Sequence, residues 1–150
     1  MNWEATVAYL HYASIFALSG ALLAEYALLR QPDLRPFITM LARTDLIYGI
    51  CALAVLATGL ARLFWFGKGT DFYLATWLFH AKLSLFVLAV LVSIVPTVRI
   101  SRWRRAQAAG TLQLEPGAHK PVRLLVLLEM HIVFVMPLLA VFMARGYGQP

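Results

Sequence analysis

Cysteine occurs once in this sequence, at position 51, and charged residues make up only 13% of its 150 positions. A typical soluble domain carries about a quarter charged residues. The lone cysteine excludes an intrachain disulfide and a multi-cysteine metal cluster. Also absent are a Gly-rich phosphate loop, a zinc-protease motif and a serine nucleophile motif, so hydrolase and nucleotide chemistry are not expected. Acidic residues are scarcer than basic ones, and the net charge is +6. In a soluble chain that excess would suggest nucleic acid. Here the basic residues gather at the ends of apolar runs, which points to anionic lipid headgroups instead.

What the chain has in abundance is apolar surface. Hydrophobic residues make up 61% of it, more than a soluble core of this size could hide, whereas a lipid-facing helix bundle has no need to hide it. Four apolar segments, at about 5–29, 37–66, 72–100 and 122–144, are each long enough to cross a bilayer. The first is too long for a cleaved signal peptide and reads as a retained helix. The expectation is one all-α domain over 1–150, an up-and-down four-helix membrane bundle. Pro32 and Pro36, Gly67-Lys68-Gly69, and Pro116-Gly117 with Pro121 punctuate the three loops. Pro96 falls inside the third span and should kink it.

Orientation follows from the positive-inside rule. Arg30, Arg35, Arg43, Arg99, Arg102, Arg104, Arg105, Lys120 and Arg123 lie on one side; only Arg62, Lys68 and Arg145 lie on the other. Both termini are therefore expected outside. Trp3, Trp65, Trp77 and Trp103 sit near span ends as interfacial anchors. Ala13, Ala17, Ala21, Gly49 and Gly59 would let helices approach closely.

Ionisable groups inside membrane helices each ask for an explanation. They sort into two layers. An inner layer holds Glu25, Arg43, Asp45 and Glu129. These can be structural ion pairs, with Arg43 pairing with Glu25 or Glu129, or a proton path. An outer layer holds His11, His80 and Lys82, with His131 nearer the midplane. In an up-and-down bundle the first and third helices face each other diagonally. Histidines at matching depth there can reach both axial positions of a haem iron. The plainer alternative is hydrogen bonding to neighbours or to a small wet cavity. Lys82 is two residues, about 200° of helix, from His80, so the two do not share one small site. It meets a protein carboxylate or an anionic ligand group. His119, in the basic third loop, is expected in solvent.

Two resemblances extend this reading. The runs Arg43-Thr44-Asp45-Leu46-Ile47-Tyr48-Gly49, Gly59-Leu60-Ala61-Arg62, Phe79-His80-Ala81-Lys82-Leu83 and Ser93-Ile94-Val95-Pro96-Thr97, then Arg102-Trp103-Arg104, resemble an uncharacterised bacterial family of four-helix membrane proteins. That family carries no function to transfer. More distantly, Leu10-His11 and Trp77-Leu78-Phe79-His80-Ala81-Lys82-Leu83 are similar to the HemJ type of protoporphyrinogen oxidase, a membrane bundle binding haem b. That resemblance implies His11 as a haem ligand and Lys82 as a porphyrin-site cation.

The leading expectation is thus a b-type haem protein of the bacterial inner membrane, an oxidoreductase handling electrons and acting on a porphyrin or a quinone. His11 and His80 would be the axial ligands, with His131 as substitute. Two alternatives stand beside it. One is a non-enzymatic scaffold whose polar groups specify packing. The other is a proton-coupled transport subunit using Glu25, Asp45 and Glu129, which with four helices would require a homo-oligomer. No nucleic-acid partner is expected.

Overall fold

The computed structural model describes residues 2–148; of the domain expected over 1–150, residues 1, 149 and 150 lie outside the described part. The described chain is all-helical. Helix α1 runs Trp3–Leu29, α2 Ile38–Phe64 after a short 3₁₀ turn at Arg35–Phe37, α3 Thr70–Ala75, α4 Trp77–Ala108 and α5 Lys120–Ala144. Among the described residues, four helices are long and apolar enough to cross a membrane: α1, α2 with its 3₁₀ turn, α4 and α5. Asn2 caps α1 by accepting from the Ala5 amide at 3.3 Å, which satisfies one of the free N–H groups of the first turn. Gly110, at φ 70° just past the end of α4, takes the left-handed conformation that side chains disfavour.

The third span differs from its expected bounds of 72–100. It is broken at Thr76, whose backbone is extended (φ −95°, ψ 116°), so that α3 is a single-turn prelude and α4 starts at Trp77. At the other end α4 continues for two turns past residue 100, placing Arg102, Arg104 and Arg105 on helix rather than loop. Helix α4 runs through Pro96 without interruption.

Helix α1 packs chiefly on α2 and α5, and α4 on α5 and α2. This is the square of an up-and-down bundle, with α1 and α4 on one diagonal. Packing is uneven along the bundle. Leu22, Leu29, Leu34, Ile38, Leu41, Ile100 and Val126 are almost wholly enclosed, and all belong to the end that carries the first and third loops. Trp103, Leu112 and Leu114 pack against the same core. Gln107 ties α4 to the first loop there, donating to the Arg35 carbonyl at 2.8 Å and accepting from Thr39 at 3.2 Å.

Contrary to expectation, His119 is buried at this end, with only 7% of its surface exposed. Loss of water, then the charges of Arg123 and Lys120, hold its imidazole below the ordinary value of 6.5. Its place at the start of α5 disfavours the cation further. The unfolded chain therefore binds more protons than the fold as pH drops below about 6.5, so stability falls with falling pH through that window. Thermal unfolding in micelles at pH 7.5 and 5.5 should show a smaller loss for His119→Gln than for the unaltered protein. Equal losses would take His119 out of the account.

Candidate functional site

The inward faces of the helices decide which ionisable groups meet. On α1 the buried positions His11, Leu18, Leu22, Glu25 and Leu29 follow steps of seven, four, three and four residues, as one face of a helix requires. On α5 they are Val122, Val126, Glu129 and Val133, and on α2 Leu41, Thr44, Asp45 and Tyr48. Glu25 and Glu129 are each 1% exposed and Asp45 is 8% exposed.

These faces bring three carboxyl groups from three helices into one region. Among the described residues, the charges acting on Glu25 are those of Asp45 and Glu129, and no cation is among them. Helix α4 completes the cluster with hydroxyls: Thr97 donates to Asp45 Oδ1 at 2.7 Å, and Ser93 lies beside the Tyr48 hydroxyl, which also neighbours Glu129. Oε1 of Glu25 and Oε1 of Glu129 are buried without any hydrogen-bond partner. Unpartnered buried acceptors are uncommon and costly.

Arg43 is exposed and does not join the carboxylates, so the expected arginine–carboxylate pairing is not formed. Its two-residue offset from Asp45 explains this. With Asp45 facing the core, Arg43 faces away. Asp45, Tyr48, Ser93 and Thr97 also line a groove of about 720 Å³ between α2 and α4. Its walls are apolar, through residues such as Leu53, Leu56 and Phe86, and its basic-loop end carries Arg104 and Arg105. One edge of the cluster is thereby reachable from outside the bundle.

The histidines do not converge. His11 is 5% exposed and donates from Nδ1 to Thr58 Oγ1 at 2.9 Å. The single Thr58 proton goes to the Ala54 carbonyl at 2.6 Å, which makes Nδ1 the protonated nitrogen of His11 and leaves the lone pair on Nε2. His80 is exposed, and its Nε2 donates to the Leu74 carbonyl at 2.9 Å, stitching α4 to the end of α3. Trp77 and Ser84, three and four residues from His80 and so on the same side of α4, are exposed with it. His131 is exposed as well, its Nδ1 donating to the Leu127 carbonyl at 2.7 Å. The inward stripe of α4 runs through Leu78, Ala89, Pro96 and Ile100. Lys82 lies on that stripe, one turn after Leu78, and its charge acts on His11 together with that of Arg62. The side chains present therefore do not fit a haem held between two histidines. Among the described residues, no three His, Cys, Asp or Glu side chains are close enough to hold one metal ion.

A family model described as "Predicted membrane protein (DUF2214)" matches residues 3–148. The chain belongs to this family. No curated protein and no solved structure matches it. Sequence reasoning singled out all three carboxylates but overlooked Tyr48, Ser93 and Thr97. The signal for Tyr48 was its three-residue step from Asp45, which puts both on one face. Thr97 and Ser93 had no such signal, because only the rotation of α4 turns them toward the α2–α4 groove.

Proposed function

We propose that this multi-pass membrane protein takes up and passes protons within the bilayer through Glu25, Asp45 and Glu129. The observation that carries this reading is the enclosure of three carboxyl groups on which, among the described residues, no cation acts. Three buried negative charges without counter-charge are prohibitively unfavourable in a dry bundle, so the cluster holds protons or a cation. Among the described residues, no three His, Cys, Asp or Glu side chains are grouped so as to hold a metal ion, which favours protons. Tyr48, beside Glu129 and Ser93, supplies a hydroxyl that relays a proton between α5 and α4. Asp45, at the α2–α4 groove, is the point of exchange with the outside. The bacterial inner membrane, with both termini outward, is the setting this reading assumes. A homo-oligomer suits a bundle of so few helices.

Purified protein in liposomes with a trapped pH dye and an imposed potential tests the proposal. The unaltered protein should dissipate the gradient faster than empty liposomes. Glu25→Gln and Glu129→Gln should each slow that by about tenfold or more, the scale of a lost proton-transfer group. A rate equal to that of empty liposomes, or one unchanged in both variants, would remove the proton reading.

A second reading rests on His11, whose Nε2 lone pair is free for an axial bond. It keeps haem b with one histidine ligand, and with it the porphyrin or quinone substrate and oxidoreductase activity. The HemJ resemblance supports it only through the residues already quoted. Bound haem would supply one-electron chemistry. A Soret band in the purified protein that shifts in His11→Ala but not in His80→Ala is the expected mark. A preparation that stays colourless with added haemin would end it.

A further inference from the structure

The half of the bundle away from the carboxylates concentrates the opposite charge. Arg62 follows Thr58 by four residues on α2, so the two share a face. His11 of α1 meets that face at Thr58, 2.9 Å away, and Tyr12 meets it at Arg62, whose guanidinium carbon lies 5.4 Å from the Tyr12 ring centroid. From α4, Lys82 comes near enough for its charge to act on His11, and that of Arg62 acts on both. Among the described residues, no carboxylate is among the charges acting on His11 or Lys82. The buried Nε of Arg62 has no hydrogen-bond partner.

We propose that Arg62 and Lys82, walled by His11 and Tyr12, form a binding site for an oxyanion: a carboxylate or a phosphate group. Two cations near enough for one charge to act on the other, on helices that partly enclose them, repel each other and call for a counter-anion. A guanidinium whose Nε is unspent presents the fork geometry that carboxylates and phosphates accept with two parallel bonds. Lys82 adds a point charge from the neighbouring helix. Arg62 lies two residues from the end of α2 and Lys82 little more than a turn into α4, so the site is near the bilayer edge. The oxyanion arrives either free from water or as the headgroup of a lipid in that leaflet. The site uses none of the carboxylate cluster, so it stands or falls apart from the proton reading.

The test uses the whole protein, purified in a neutral detergent, in two arms. In the first, thermal unfolding is followed with sodium phosphate, sodium acetate or sodium chloride at equal ionic strength. In the second, native mass spectrometry compares retention of phosphatidylglycerol with phosphatidylcholine. Stabilisation by phosphate or acetate over chloride supports the site with a free oxyanion. Preferential retention of phosphatidylglycerol supports it with a lipid headgroup. Arg62→Gln and Lys82→Met should each weaken the responding ligand by roughly ten- to a hundredfold, the scale of a charge-assisted hydrogen bond. Arg62→Lys, which keeps the charge and loses the fork, covers the case in which Arg62→Gln fails to fold; it should bind more weakly than the unaltered protein. No preference in either arm, or a preference undiminished in the folded variants, would overturn the proposal.

Discussion

Leu41→Ala should cost the bundle about 1–3 kcal/mol. Leu41 is wholly enclosed, at 0% exposure, in the core that includes Leu22, Leu29, Ile38, Ile100 and Val126. In water the same change would cost about 2–5 kcal/mol, part of it the transfer of the lost methyl groups from water. A membrane bundle lacks most of that transfer contribution, because lipid is as apolar as the core. The cavity and the lost dispersion contacts remain, which places the expectation in the lower part of the range. Leu53→Ala and Phe16→Ala provide the contrast. Both side chains are largely exposed, at 68% and 78%, and both changes should fall within about 0.5 kcal/mol of neutral. Reversible unfolding in mixed micelles measures all three. Equal costs at Leu41 and Leu53 would mean that the basic-loop end is not the packed half of the bundle.

Gly59→Leu should be the most damaging glycine substitution in the spans, and Gly49→Leu should be tolerated. A Cβ at Gly59 would lie 3.3 Å from Cε1 and 3.8 Å from Nδ1 of His11. A single carbon is already tight there, and a full leucine must displace the imidazole and break its bond to Thr58. Overpacking of this kind costs about 1–3 kcal/mol, and the stranded histidine adds an unsatisfied polar group in a dry place. At Gly49 nothing lies within 4 Å of the added carbon. Gly49→Ala should therefore stabilise by roughly 0.5–1 kcal/mol through helix propensity alone. Thermal unfolding, read beside the His11 ring resonances in NMR, separates the two sites. A Gly59→Leu protein of normal stability with an unshifted His11 would show that the ring does not rest on α2.

Both glycines were legible as small residues suited to close packing, yet only one meets a neighbour. Small size permits an approach; what approaches depends on which side of α2 faces α1. The same reasoning covers the histidine and lysine of α4. Their spacing established that they point to nearly opposite sides, and pattern alone favoured His80 as the inward one. In the folded chain Leu78, Ala89, Pro96 and Ile100 take the core, Lys82 goes with them, and His80 closes the break between α3 and α4.

By itself the sequence determined the membrane class, the number of long apolar helices and the position of each charged group along its helix. Those properties depend on local composition and length, because a bilayer selects continuous apolar helices one at a time. It also separated the carboxylates from the layer of His11, His80 and Lys82 along the bundle axis, since rise per residue is a local quantity. Only the tertiary structure decided rotation and partnership: that Glu25, Asp45 and Glu129 meet without Arg43, that Thr97 bonds Asp45, and that the charges of Arg62 and Lys82 act on His11 with no carboxylate among the described residues beside them. Those outcomes depend on how each helix turns about its own axis. That turn is set by packing against two neighbours at once, and no single segment encodes it.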